Sequence, residues 1–146
     1  MFPGTDLDGQ AALIETVGNP DCHVILRGGS AGPNYDAETV ADTMARLRKS
    51  GLPERVVIDA SHGNSSKNHE KQVDVVADIS ERIVAGEKRI VGVMLESFIE
   101  AGRQDLTLGK SEELEYGKSI TDACIDWATT VDQLDRLAEA VRARRA

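Results

Sequence analysis

The chain has 146 residues, of which 40% are apolar and only 3% aromatic, and its formal net charge at pH 7 is −8. This length suggests one domain with an aliphatic core. The negative charge argues against nucleic acid or an anionic membrane as the main partner. It does not exclude an anionic substrate, because local cations dominate inside a pocket. No run approaches the roughly 20 apolar residues of a membrane span.

The cysteines and the N-terminus both bear on the cellular compartment. Cys22 and Cys124 are far apart, which suits a reducing compartment better than a disulfide scaffold. The first ten residues, MFPGTDLDGQ, are acidic where a secretory signal is basic, and no long apolar run follows them. We therefore expect a cytoplasmic protein.

Residues 1–20 are the least regular part of the chain. Glycine and proline interrupt two short extended pieces, the second at Ala11–Val17, which predicts a β-hairpin or an arm. From residue 21 onwards apolar runs alternate with helical patterns. Strands are predicted at 22–27, from 55 and at 90–96, and helices at about 37–49, 66–85 and 131–144. A polar segment at 100–121 has no sustained period, and long loops of this kind are more often functional than accidental.

The helices have recognisable ends and buried faces. Asp36 is predicted to be the N-cap of the first helix, and Gly51 and Gly86 to end the first and second helices. The predicted buried faces consist of Val40, Met44 and Leu47 in the first helix, Val73, Val76, Ile79 or Ser80, Ile83 and Val84 in the second, and Leu134, Leu137, Ala138 and Val141 in the last.

The order β-α-β-α-β-loop-α, with nearly continuous apolar strands, is typical of an α/β fold with a parallel sheet covered on both faces. Three such strands are too few for a complete doubly wound domain. They are also too few for a closed barrel, which needs about 250 residues. The predicted sheet would therefore have two exposed parallel edges.

Polar residues follow each predicted strand, where α/β enzymes place their reacting groups. His62, Glu96 and Asp122 suit a divalent ion such as manganese, iron, cobalt or zinc. Arg27, followed by two glycines, suits a phosphate or carboxylate group. Each residue also has a structural interpretation: His62 as a satisfied polar residue, Glu96 as a cap of the next turn, Asp122 as the N-cap of a short helix, and Arg27 as an ion-pair partner at the rim.

The remaining cations and histidines have structural or solvent-exposed roles by default. Lys67 and Lys118 lie near predicted loop mouths. His23 is predicted to be structural within a strand, and His69 to lie on a helix surface.

Five motifs carry a family resemblance: GNPDCHVILRGG, PNYDAETVA, VVIDASHGNSSKNHEKQ, GEKRIVGVMLES and LEYGKSITDACIDW. In this order they closely resemble the C-terminal part of type I 3-deoxy-D-arabino-heptulosonate 7-phosphate (DAHP) synthases. The resemblance covers about residues 10–146, and its linked motifs make it highly specific. It implies a (β/α) barrel transferase of the shikimate pathway to aromatic amino acids. Such an enzyme condenses phosphoenolpyruvate with erythrose 4-phosphate and uses a divalent metal.

The resemblance also implies the roles of single residues. In that family a Cys, a His, a Glu and an Asp hold the metal, and the last three match His62 in SHGNSS, Glu96 in MLES and Asp122 in SITDAC. The arginine of LRGG, which binds the phosphoenolpyruvate phosphate, matches Arg27. His62 and Arg27 would thus be catalytic, and Arg27 and Asp122 would contact substrate.

The chain departs from the family pattern in one important respect. The family's cysteine ligand belongs to the first barrel strand, which is absent here, and neither Cys22 nor Cys124 matches it. We therefore expect one segment, 1–146, that holds the last three βα units of an incomplete TIM barrel. Residues 1–20 would be a hairpin or arm remnant and residues 21–146 the three units. A missing N-terminal barrel half, or self-association, would complete the site.

Two alternatives to the synthase interpretation stay open. One is a non-catalytic half-barrel that serves for binding or assembly. The other is a sister enzyme that makes an octulosonate phosphate from arabinose 5-phosphate, although KSITDACIDW favours the heptulosonate enzyme.

Overall fold

The N-terminal segment forms an antiparallel hairpin. The computed structural model describes residues 1–146, and its first two strands are β1 (Phe2–Thr5) and β2 (Ala11–Ile14). Thr5 pairs with Ala11 and Phe2 with Ile14. The apolar side chains of Leu7 and Leu13 are largely exposed, so the hairpin adds little to the core.

A three-stranded parallel sheet forms the centre of the molecule. It consists of β3 (Val24–Leu26), β4 (Val56–Asp59) and β5 (Ile90–Met94), with β4 in the middle. The predicted mixed α/β architecture with parallel strands is therefore confirmed. The outer strands are shorter than predicted because pairing stops where β4 begins and ends. His23 consequently lies outside β3 and is exposed, so its predicted structural role within a strand is wrong.

Three helices follow the strands: α1 (Ala37–Lys49), α2 (Gln72–Val84) and α3 (Trp127–Arg145). The Asp36 side chain accepts a hydrogen bond from the Thr39 N–H at 2.9 Å, which confirms the predicted N-cap of α1. The predicted start of α2 near residue 66 is wrong. Ser66 and Lys67 have positive φ angles of 55° and 60°, a left-handed conformation that an α-helix excludes.

The last helix also begins at a different residue from the one predicted. Trp127 is its first residue, and the Asp126 carboxylate accepts a hydrogen bond from the Thr129 N–H at 2.7 Å. Asp126 is therefore the N-cap of α3. No short helix begins after Asp122, since residues 121–126 contain only bends and isolated bridges, so the alternative interpretation of Asp122 as the N-cap of a short helix is wrong.

One hydrophobic core joins the three strands to the three helices. Its buried residues are Leu26, Val40, Met44, Leu47, Val56, Ile58, Ala60, Val75, Val76, Ile79, Ile83, Ile90 and Ala140. The predicted burial of Val84 and Leu134 is wrong, since they are 53% and 50% exposed. In α3 the buried face is rotated towards Gln133 and Ala140, because packing against α2 rather than apolar character selects the inward positions.

The helices cover only one face of the sheet, which corrects the expectation of two covered faces. Leu26 and Ile58 pair in the core, whereas Ile25 and Met94 point to the opposite face and are 42% and 41% exposed. Both outer strands pair with β4 alone. The sheet thus presents an apolar face and two free edges.

None of the helices has the length and apolar composition that a membrane span requires.

Candidate metal and anion site

The first part of the site is the turn after β4. Asp59 is only 2% exposed. Its carboxylate accepts hydrogen bonds from the Ser61 N–H at 2.8 Å, the Ser61 hydroxyl at 2.5 Å and the His62 Nδ1 at 2.8 Å. A carboxylate only accepts hydrogen bonds, so Nδ1 is the nitrogen that donates to Asp59, and the other ring nitrogen, Nε2, lies 3.4 Å from Glu96 Oε1. Such a buried carboxylate orients a metal-binding histidine in many proteins.

The second part is Glu96, two residues beyond the end of β5. Burial raises the pKa of its carboxyl, and the negative charges of Asp122 and Asp59 act in the same direction. His62 and Arg27 oppose the increase in pKa. A half-buried carboxylate beside two others is a site where a cation relieves electrostatic repulsion.

The third part is Asp122, which the long loop brings back to the sheet. Gly102 and Cys124 exchange two backbone hydrogen bonds, at 2.8 and 3.1 Å. The Ile125 N–H donates to the Glu96 carbonyl at 2.9 Å. The returning chain therefore lies beside the extension of β5. This pairing places the exposed Asp122 near the strand ends although it belongs to no strand.

These three side chains converge. One ligand atom each from His62, Glu96 and Asp122 lies within 4.8 Å of the other two. One imidazole nitrogen and two carboxylates form a donor set that suits manganese, iron, cobalt or zinc. The orientation of His62 by Asp59 is a further feature of such sites, so the residues present fit a divalent metal.

Lys67, Lys118 and His69, which the sequence left as solvent-exposed by default, have different surroundings in the structure. Lys67 and His69 line the same cavity as the three converging side chains. His69 lies in a short 3-10 turn before α2 rather than on the surface of a helix. Lys118 instead forms an ion pair with Glu115 at 2.7 Å, so it is engaged within the loop.

The turn after β3 is locked against the turn after β4 by two asparagines. The amide of Asn64, which is 4% exposed, donates to the Leu26 carbonyl at 3.0 Å and to the Asp59 carbonyl at 2.8 Å. Its oxygen accepts from the Asn34 N–H at 2.8 Å, and the Asn34 oxygen accepts from the Gly28 N–H at 2.7 Å. The two strand ends therefore form one rigid unit.

Arg27 is part of this unit. Its carbonyl accepts a hydrogen bond from the Gly63 N–H at 3.0 Å, directly next to His62. The Arg27 side chain is exposed, and its positive charge counters the increase in the pKa of Glu96. Because Arg27 directly follows β3, it lies at the same C-terminal end of the sheet as His62 and Glu96, and its exposed guanidinium can receive an anion.

Sequence reasoning missed Asp59 and Asn64 as parts of the site. Asp59 could have been found from the sequence, because it lies only three residues before His62 with a serine, Ser61, between them. Asn64 gave no signal, because its partners lie up to 38 residues away.

Neither cysteine belongs to the converging group. Burial raises the pKa of the Cys124 thiol, which disfavours the thiolate that a metal requires.

Comparison with known proteins identifies the family. A family model described as the DAHP synthetase I family matches residues 3–135. The tyrosine-inhibited phospho-2-dehydro-3-deoxyheptonate aldolase of Schizosaccharomyces pombe is 55% identical over 97% of this chain. The Phe-sensitive phospho-2-dehydro-3-deoxyheptonate aldolase of Escherichia coli K12 is 55% identical over 94% of it.

A solved structure agrees with these relatives. The phospho-2-dehydro-3-deoxyheptonate aldolase of Francisella tularensis SCHU S4 superimposes with a TM-score of 0.87 at 48% identity, over 99% of this chain. The chain spans 39% and 38% of the two curated relatives and 41% of the solved one. With a matched family model and this degree of identity, the chain belongs to the DAHP synthetase I family.

Proposed function

We propose that this chain supplies the metal site and the phosphoenolpyruvate phosphate site of a DAHP synthase of the shikimate pathway. The observation that carries the proposal is the convergence of His62, Glu96 and Asp122 within 4.8 Å. A chance cluster of exposed acids would lack the buried Asp59 that fixes the His62 ring. The converging residues also lie at the C-terminal ends of the parallel strands, where barrel enzymes bind substrate.

The proposed architecture is the last three βα units of a TIM barrel, spanning residues 21–146, with the hairpin of residues 1–20 as an appended arm. Two features support it: both outer strands have a free edge, and the face opposite the helices is apolar and uncovered. The partner that covers this face would be the N-terminal part of the barrel, or another copy of the chain. We place the enzyme in the cytoplasm and expect no nucleic-acid or membrane partner.

The proposed metal is a divalent ion held by His62, Glu96 and Asp122. When bound, it would act as a Lewis acid that polarises the aldehyde of erythrose 4-phosphate. The fourth ligand of the family, a cysteine, would come from the missing part. Asp59 holds the Nδ1 proton of His62 and so keeps Nε2 available as a ligand.

The remaining roles concern the substrates. The Arg27 guanidinium would bind the phosphate of phosphoenolpyruvate by charge-assisted hydrogen bonds, and Asp122 would contact erythrose 4-phosphate. In the overall reaction a carbon–carbon bond forms between the methylene carbon of phosphoenolpyruvate and the aldehyde carbon. Water adds to the neighbouring alkene carbon, and inorganic phosphate leaves.

A second function, a non-catalytic half-barrel that binds or assembles, is favoured by a specific observation. The converging group supplies three ligands, His62, Glu96 and Asp122, where the family pattern has four. A half-barrel of this kind would still bind a divalent ion or phosphate without turnover.

The test is the consumption of phosphoenolpyruvate in the presence of erythrose 4-phosphate and Mn²⁺. The chain is assayed alone and together with the N-terminal barrel part of a full-length relative. We expect turnover with the added part, its loss in His62→Ala, and its retention in His23→Ala, which removes an exposed histidine remote from the site. Binding of Mn²⁺ without turnover under either condition would contradict the synthase proposal and support the half-barrel function.

A further inference from the structure

Gln72, the first residue of α2, is a fully buried amide with an unusual pair of partners. Its side chain is 0% exposed. Oε1 accepts a hydrogen bond from the Glu96 N–H at 2.8 Å, and Nε2 donates to the Glu96 carbonyl at 3.1 Å. A buried amide is costly unless it is hydrogen-bonded. Here the oxygen and the nitrogen of the amide both form hydrogen bonds with the backbone of a single residue, Glu96.

Glu96 lies beyond the end of the regular pairing between β4 and β5, so its backbone depends on Gln72 for hydrogen bonds. The last backbone hydrogen bond between the neighbouring strands joins the Ala60 N–H to the Met94 carbonyl at 2.9 Å. Beyond it Glu96 has no strand partner on the β4 side. Gln72 extends the pairing by two residues and is the hydrogen-bond acceptor of the Glu96 N–H.

The direction of the Glu96 carboxylate follows from its backbone. Gln72 binds both the N–H and the carbonyl of Glu96, and the Ile125 N–H donates to the same carbonyl at 2.9 Å. With the backbone fixed, the carboxylate lies 3.4 Å from His62 Nε2. Without the amide, the Glu96 N–H would lose its acceptor and only the Ile125 N–H would hold the Glu96 carbonyl, so the carboxylate would spend less time near His62.

We propose that Gln72 is a positioning residue that holds Glu96 in reach of His62 and Asp122. The inference rests on the proposed function, because it takes those three side chains as the ligands of one divalent ion. Gln72 acts only through Glu96 and touches neither metal nor substrate.

The test compares two buried glutamines on different helices. Gln72→Met removes both hydrogen bonds while keeping the volume of the side chain. The control is Gln133→Met on α3: Gln133 is 3% exposed, its Nε2 lies 3.4 Å from the Thr129 carbonyl of its own helix, and its Oε1 has no partner. The dissociation constant of Mn²⁺ is measured for the chain and both variants by titration, with the free ion followed by paramagnetic resonance.

We expect Gln72→Met to weaken Mn²⁺ binding by about 10-fold or more, as losses of outer partners of metal ligands do, and Gln133→Met to leave binding unchanged. Equal affinity of Gln72→Met and the unmodified chain would overturn the inference alone. An unmodified chain that binds no Mn²⁺ would overturn the metal site and, with it, the role of Gln72.

A second measurement does not depend on the folding of a variant. In the unmodified chain the Glu96 amide should exchange with solvent as slowly as the amides of β5, because its hydrogen-bond acceptor is a buried side chain. Exchange at the rate of an unprotected amide would show that the contact with Gln72 is not maintained, which would overturn the inference.

Discussion

At the scale of single residues, the backbones of Gly28 and Gly63 lie so close together that neither position leaves room for a side chain. Gly28 has φ +81°, and a Cβ atom on it would lie 2.5 Å from the carbonyl carbon of Gly63. Gly29, the next residue, has no atom within 4 Å of its own ideal Cβ position. The turn that carries Arg27 can therefore approach His62 only if residue 28 is glycine.

Substituting these two glycines separately tests this interpretation. We expect Gly28→Ala to lower the free energy of unfolding by about 1–3 kcal/mol, because strain and a backbone clash combine. Gly29→Ala should change it by no more than about 0.5 kcal/mol. Urea denaturation of both variants provides the comparison. Equal midpoints would mean that the two turns are not in contact in solution.

At the scale of elements, the connection from α2 to β5 depends on Glu87. Its carboxylate accepts hydrogen bonds from Arg89 Nε at 2.8 Å and Nη2 at 2.6 Å, and its carbonyl accepts one from Arg144 Nη1 of α3 at 2.6 Å. The side-chain hydrogen bond from Arg89 is the largest contribution that lowers the pKa of Glu87, from 4.5 to about 2. Glu87 thus connects Arg89, which directly precedes β5, with Arg144 of α3.

This pKa predicts a pH dependence of stability. A carboxyl with a lowered folded-state pKa stabilises the fold above pH 4.5, and this contribution is lost as the pH falls from 4.5 towards 2. Glu87→Gln should therefore lower the free energy of unfolding at pH 7 by about 1 kcal/mol, because solvent screens an ion pair at the surface. Near pH 2.5 most of the difference should disappear. A difference that stays constant between pH 7 and 2.5 in urea titrations would contradict the assignment.

At the scale of the whole molecule, the uncovered face of the sheet determines how the isolated chain behaves. Ile25 and Leu26 are neighbours on opposite faces, 42% and 7% exposed. An apolar face with free parallel edges favours association, so we expect the apparent mass of the chain to rise with concentration.

Two lysine substitutions distinguish the two faces. Ile25→Lys should suppress association, as seen by sedimentation velocity, and leave the thermal midpoint nearly unchanged. Leu26→Lys should unfold the chain, because it places a charge in the core. If Ile25→Lys unfolds the chain as Leu26→Lys does, both faces are covered in solution and the half-barrel architecture is incorrect.

Much of the fold was predictable from local pattern. The bounds of α1 and its cap at Asp36 were predicted correctly, because an N-cap and an apolar stripe are properties of neighbouring residues. The start of α2 was not, because Ser66 and Lys67 have left-handed backbones that the helical pattern did not indicate. The exposure of Leu134 depends on how α3 packs against α2, which periodicity alone does not specify.

The same distinction applies to the site. His62, Glu96 and Arg27 could be selected from sequence because each follows an apolar strand, and Asp122 because it matches a family motif. Their supporting residues could not, since Asn64 is 38 residues from Leu26 and Gln72 is 24 residues from Glu96. Hydrogen bonds over such separations leave no periodic trace in the chain.

The sequence by itself determined the order of the elements, the parallel sheet and the family resemblance, because these depend on residue types at fixed spacing along the chain. Only the tertiary structure decided which polar groups meet: Asp59 with His62, Gln72 with Glu96, and His62, Glu96 and Asp122 with one another within 4.8 Å. It also decided which sheet face is uncovered. The physical reason is that burial and hydrogen bonding are set by the packing of distant segments, and the linear pattern does not encode that packing directly.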